Sequence, residues 1–155
     1  MTALAADIAA LCHVVNALNA TATTAGGSGD ATAANGATID LAATTTRYNG
    51  VAFLVRANAT LAEGETLTLA AKIEDSADGS TWADLVAAAT VLTLAGATGG
   101  STEAGVGVLG ADLRTARRYL RVVATPDLSA ADTDTAGIDA VAVLCGADEL
   151  PVAAA

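Results

Sequence analysis

Residues 72–85 constrain the fold more than any other part of the chain. The run Lys72-Ile73-Glu74-Asp75-Ser76 leads into Ala77-Asp78-Gly79-Ser80 and leaves through Thr81-Trp82-Ala83-Asp84-Leu85. Asp and Gly reach the dihedral angles of a tight turn at little steric cost. Apolar and polar residues alternating on both sides of such a pair mark a β-hairpin. Asp75, Asp78 and Gly79 are expected to build the turn, and Trp82, the only tryptophan, to pin it to the core.

The same texture runs through most of the chain from Ala37. Thr38-Ile39-Asp40-Leu41 alternates, Val51-Ala52-Phe53-Leu54-Val55 is a continuous apolar run suited to a strand buried on both faces, and residues 66–73 alternate again. Further strands are expected at 82–86, 90–94, 119–124 and 138–145, with a Gly-rich surface loop over 95–107. Seven or eight short strands with turn signals between them predict an all-β fold, an antiparallel β-sandwich or jelly roll. A chain of 155 residues is most simply one domain, and with aromatics at 3% its core must consist mainly of small aliphatic side chains.

Residues 1–20 read differently. Leu4, Ile8, Leu11, Val15 and Leu18 follow one another at intervals of four, three, four and three, which places them on one stripe of a helix. Val14, Val15 and the lack of a clear cap weaken that reading, so a short helix and an extended docking arm both fit. Residues 21–36, rich in Gly, Ser and Thr, are expected to form a flexible linker. The expected organisation is an arm or helix with its linker over 1–36, a β-sandwich over 37–146 and a tail over 147–155.

Charge excludes several partners. A formal net charge of −10 argues against nucleic acid, whose phosphates require clustered Lys and Arg. No run approaches the roughly 18–20 strongly apolar residues needed to cross a bilayer, so no membrane partner is expected. No Lys or Arg precedes Arg47, and a secretory signal is not expected. Cys12 and Cys145 both have apolar neighbours and are expected as buried free thiols, a bridge tying the ends together being the alternative.

Residues that could carry a reaction are sparse. His13 is the only histidine and lies on the apolar stripe, where a structural role is the simpler reading. Ser76 and Ser80 have no histidine near them in sequence, and no phosphate-binding glycine loop is present. Asp75, Asp78 and Asp84 invite calcium, but they lack the spacing and closing Glu of a calcium loop; capping of turn amides is preferred. Trp82 has too few aromatic companions for a sugar-stacking face. No catalytic residue, metal or cofactor is expected, and the chain is not expected to be an enzyme.

The cations carry more information. Four of the seven, Arg114, Arg117, Arg118 and Arg121, fall within eight residues, while the carboxylates are dispersed. Such a segment can be a solvated edge that deters stray strand pairing. Arginine is also favoured at protein contacts because it pairs bidentately with carboxylates, so an interface with a partner or neighbouring copy supplying Asp or Glu is the preferred reading. Leu4, Ile8 and Leu11 are the candidate apolar anchors.

Thr38-Ile39-Asp40-Leu41, Tyr48-Asn49-Gly50-Val51-Ala52-Phe53, the 72–85 hairpin and Arg118-Tyr119-Leu120-Arg121-Val122-Val123 together resemble the capsid decoration, or cement, proteins of tailed bacteriophages. The resemblance covers most of residues 37–146. It implies a β-sandwich made in the host cytoplasm that binds the outer surface of an assembled head, contacts the major capsid protein and stabilises the shell without catalysis. It further implies self-association, as a homotrimer in preference to a homodimer. The alternatives are a host-recognition or carbohydrate-binding module displayed on the virion, and a head-fibre or tail component.

Overall fold

A computed structural model describes residues 8–130 and 133–149; Leu4 and most of the expected tail lie outside the described residues. The strands are β1 (Cys12–Thr24), β2 (Ala34–Asn35), β3 (Ile39–Asp40), β4 (Tyr48–Leu61), β5 (Thr66–Ser76), β6 (Trp82–Ala95), β7 (Ser101–Asp112), β8 (Tyr119–Leu128) and β9 (Thr135–Ala147). Among the described residues there are thus nine strands, where seven or eight were expected, and two of them are only two residues long. Sheet A has the order β1-β9-β4-β7, and sheet B the order β2-β8-β5-β6 with β3 also on β8. All pairings between these strands are antiparallel, so the expected sandwich is the architecture.

Alternation decides what lies between the sheets. Along β4, Val51, Phe53, Val55, Ala57, Ala59 and Leu61 are buried, and along β5 so are Leu67, Leu69, Ala71 and Ile73. Leu120, Val122 and Ala124 of β8 and Ile138, Ala140, Ala142 and Leu144 of β9 complete the layer. Phe53 and Tyr48 are the aromatics among the buried core residues, and the rest of that core is small aliphatics, as the composition requires.

The N-terminal expectation is corrected. Cys12–Thr24 is neither helix nor free arm but a 13-residue strand along β9, from Cys12 opposite Cys145 to Thr24 opposite Thr135. The helical spacing has a local cause: the register shifts between Asn16 and Leu18 and again between Leu18 and Thr21. An extra residue flips the parity of a strand, so Val15 and Leu18, three apart, both turn toward the core, as they would on a helix.

The expected linker is ordered as well. The Asp30 carboxylate accepts hydrogen bonds from the Gly26 and Leu128 amides at 2.8 and 2.9 Å. Gly36 donates to the Val122 carbonyl of sheet B at 2.8 Å, and Ala37 to the Ala17 carbonyl of sheet A at 2.7 Å. A Cβ at Gly36 would lie 2.4 Å from the Ala17 oxygen, so only glycine passes between the layers here. The sandwich therefore begins at β1, not at Ala37.

Two glycine readings also change. The expected loop over 95–107 shrinks to residues 96–100; Ala95 ends β6 and residues 101–107 belong to β7. Gly105 and Gly107 face inward, where a Cβ would come within 2.8 Å of Leu92 and 2.7 Å of Val91. Their missing side chains let β6 approach β7 where the two sheets meet at one edge. The two strands expected at 82–86 and 90–94 are one, β6, whose pairing with β5 carries three irregularities.

Candidate functional site

The arginine-rich segment does not wait for a partner's carboxylates. Arg114 forks onto Asp112, two residues before it, and holds that carboxyl down to about 2. Arg117 binds Asp75 through its guanidinium at 2.8 Å and its backbone amide at 2.9 Å. Arg118 forks onto Asp40 at 2.9 and 2.7 Å and lies over the Tyr119 ring. Arg121 reaches Glu74 at 2.7 Å, and Lys72 closes on Glu74 at 2.6 Å and Asp84 at 2.9 Å. The carboxylates expected from a neighbour are supplied by the chain itself.

Apart from Arg114–Asp112, at the end of β7 in sheet A, these pairs are built on sheet B and the approach to its strand β8. Glu74 of β5 stands opposite Arg121 of β8 and Asp84 of β6; the two neighbouring carboxylates are held together by Lys72, which pairs with both. Burial pushes the Glu74 and Asp75 carboxyls up, but the hydrogen bonds from Lys72 and Arg121, and from Arg117, outweigh it and leave both below their ordinary range. Arg114 and Arg118 keep side chains 70% and 52% exposed despite their partners, so both still face solvent. Together with Arg47 and Arg117 they line a shallow groove bounded by Thr45, Tyr48 and Leu113.

The hairpin turn is held by its own side chains. The Asp78 carboxylate accepts from the Ser80 and Thr81 amides at 2.9 and 2.8 Å and from the Ser76 hydroxyl, while Ser76 Oγ accepts from the Gly79 amide at 3.0 Å. These bonds hold Asp78 well below the usual carboxylate range. Gly79 has φ +75°, a left-handed value that suits glycine. Asp75 is not part of the turn: it is buried against Arg117, while Asp84 belongs to Lys72, so the three aspartates serve three different partners. Trp82 is not a core anchor. It is half-buried on the outer face of sheet B, with the Arg121 guanidinium 4.2 Å above its ring.

His13 packs against Tyr48, with ring centroids 6.1 Å apart. Ile8 lies in the turn before β1, 73% exposed, and Leu11 is half-buried at its end. Cys12 and Cys145 are both half-buried free thiols, not fully buried ones.

What the sequence reading missed is the outer face of sheet A. Register places Val14, Val143, Ala52 and Gly110 in one row across β1, β9, β4 and β7, and Asn16, Val141, Leu54 and Val108 in the next. Neither row contains a charge. Val14 is 56% exposed, Val108 62% and Val106, one step further along β7, 50%. The Arg56–Asp139 pair closes one side of this platform, and the Asp112–Arg114 pair lies beyond its other end. The signal was present: the apolar run at 51–55 reads as a strand covered on both faces, but in a two-layer sandwich the second sheet covers only one. Ala52 and Leu54 therefore face outward, half-covered by their neighbours. Sheet B turns an ion-paired face to solvent, and sheet A an apolar platform over part of its face.

No protein-family model matches the sequence, and no curated protein matches it. Solved structures align with this chain, and the first of them shares its fold. A chain of infectious bursal disease virus, Gx strain, aligns with a TM-score of 0.50 and 8% identity over 90% of this chain and 33% of its own. The PBSX exported protein XepA aligns with a TM-score of 0.45 and 17% identity over 96% of this chain and 41% of its own. Dimeric latent PorU from Porphyromonas gingivalis aligns with a TM-score of 0.44 and 10% identity over 87% of this chain and 12% of its own. This chain spans less than half the length of each of the three.

Proposed function

We propose that the protein is a structural component of a virus particle, a capsid decoration protein that seats the outer face of sheet A on the exterior of an assembled head. The observation that carries this reading is that face itself, an uncharged apolar platform on a chain of net charge −10. Acidic surface keeps copies apart in solution, and contiguous exposed apolar surface marks a contact. The fold held in common with a chain of infectious bursal disease virus and the resemblance of the hairpin and β8 motifs to cement proteins support the same reading.

On this proposal the partners are the major capsid protein and further copies of the chain, a homotrimer being favoured. Binding, not catalysis, is the activity. Arg114 and Arg118 supply polar contacts at the rim, and Ile8 extends the apolar contact beyond β1. Many modest contacts repeated over a symmetric shell then hold by avidity. The test is attachment to purified heads stripped of the protein. Val108→Lys should abolish occupancy while the isolated chain keeps its melting temperature, and Arg118→Glu should weaken it in a salt-dependent way. Full occupancy with Val108→Lys would refute the seat.

A further inference from the structure

We infer that Cys12 and Cys145 form an intramolecular disulfide, a covalent modification that fastens the first strand of the sandwich to the last. The two residues are direct partners in the β1–β9 ladder, and their sulfur atoms lie 2.6 Å apart. Antiparallel partners hold their Cα atoms about 4.5–5.5 Å apart. That lies within the roughly 4.4–6.8 Å that a disulfide spans, and the bond itself is about 2.05 Å long. Closure therefore needs a small adjustment of two side chains and no movement of the backbone.

The surroundings suit the bond. Leu144 points into the core with 0% exposure, so Cys145 and its partner project from the opposite side of sheet A. Both thiols are half-buried, open to a small oxidant but recessed from the thiol of a second protein. Gly50 is the partner of Cys145 on its other side, and a Cβ there would meet nothing nearer than 3.8 Å. The position also matters mechanically. β1 is an edge strand held by β9 alone within its sheet, and its register is interrupted twice. A bond at the regular end of this ladder secures an edge strand of interrupted register and closes a loop of nearly the whole chain.

The chemistry balances with a small-molecule disulfide such as oxidised glutathione. One protein thiolate attacks that disulfide, giving a mixed disulfide and one glutathione thiolate. The second cysteine attacks the protein sulfur of the mixed disulfide, forming the Cys12–Cys145 bond and expelling the second glutathione thiolate. Two protein thiols are oxidised, and their two protons and two electrons leave as two molecules of reduced glutathione. Burial, and then the adjacent Cys12, push the Cys145 thiol up to about 11, so closure accelerates with rising pH.

The test is to incubate the reduced full chain with oxidised glutathione, remove the reagent and measure intact mass, free thiols and thermal melting. The expected product is a monomer about 2 Da lighter than the reduced chain, the mass of two hydrogens, with no titratable thiol. Its melting temperature should exceed that of a Cys12→Ser/Cys145→Ser variant treated identically by about 10 °C. Should that variant fail to fold, the wild-type chain held in reductant serves as the reference. Thiols that stay titratable, a stable glutathione adduct or a disulfide-linked dimer would each overturn the inference. A closed bond with an unchanged melting temperature would overturn the fastening role.

Discussion

Arg117 closes on Asp75 with both its guanidinium and its own backbone amide, at 2.8 and 2.9 Å, and in doing so ties the approach to β8 onto the end of β5. Asp75 is 5% exposed, so its charge is tolerated only because these donors surround it. Asp75→Ala strands the amide and leaves a guanidinium facing a cavity; a loss of about 2 kcal/mol, or roughly 4–8 °C in melting temperature, is expected. Arg117→Glu sets two carboxylates against each other and should be at least as damaging. Arg118→Glu, at a surface pair, should leave the fold nearly unchanged. Equal melting temperatures for Asp75→Ala and the wild type would show that the pair is ornamental.

The outer face of sheet A makes a second prediction that needs no partner. Val108 is 62% exposed, so Val108→Lys removes little packing and should change stability by no more than about 0.5 kcal/mol. The same substitution puts a charge into the second of the two uncharged rows of the platform. Binding of a dye that reports exposed apolar surface should fall clearly, and any concentration-dependent self-association should weaken. A variant that binds dye as the wild type does would mean that the platform is too well covered by its own neighbours to act as a contact.

How much of this was legible in the sequence depends on the range of the interaction. The hairpin strands β5 and β6 were readable because alternation and an Asp-Gly turn are local signals. β4 was readable as a strand, but an apolar run looks the same whether its outer side is covered or open. β7 was hidden because Gly105 and Gly107 mimic a loop, although they are there to admit Leu92 and Val91. β1 was hidden because an interrupted register imitates helical spacing. The arginines' partners were invisible for a simpler reason: Asp75, Glu74 and Asp40 lie 42, 47 and 78 residues from Arg117, Arg121 and Arg118.

Glycine in β7 can be tested directly. A Cβ at Gly107 would sit 2.7 Å from the side chain and 2.8 Å from the backbone oxygen of Val91, so Gly107→Ala forces the two edge strands apart. Overpacking of this kind costs about 1–3 kcal/mol. At Gly110, on the outer face of the same strand, the nearest atom to an added Cβ is 3.4 Å away, and Gly110→Ala should be neutral or slightly stabilising. If both variants melt alike, the close approach of β6 and β7 is not what the glycines serve.

Acid should unfold the chain in a defined window. Asp40, Glu74, Asp75 and Asp112 all have carboxyls held below their ordinary values by arginine or lysine partners, Asp112 down to about 2. A depressed folded-state value means that the unfolded chain binds protons first as pH falls. Their stabilisation is therefore complete above the unfolded value, about 4, and is lost as pH drops from there toward 2. The urea midpoint should be level between about pH 5 and 7 and then decline, and Asp75→Asn should flatten the decline. A midpoint that falls as pH rises from 5 to 7 would contradict the sign.

Trp82 supplies the last prediction, because its position separates scaffold from recognition. It is half-buried on the face of sheet B, and Arg121 stands 4.2 Å above its ring while also holding Glu74. A core tryptophan replaced by alanine costs about 3–5 kcal/mol. Trp82→Ala, which loses a surface stack and half a ring's burial, should cost about 1–2 kcal/mol and leave the cooperative unfolding transition intact. Arg121→Ala should shift the indole emission, since it removes the charge over the ring and exposes that face to water. With the guanidinium covering one side, the indole has only its other side for a sugar ring, so a glycan array should be blank for both wild type and Trp82→Ala. Specific glycan binding that disappears in Trp82→Ala would move the functional surface from sheet A to sheet B and replace shell attachment with host recognition.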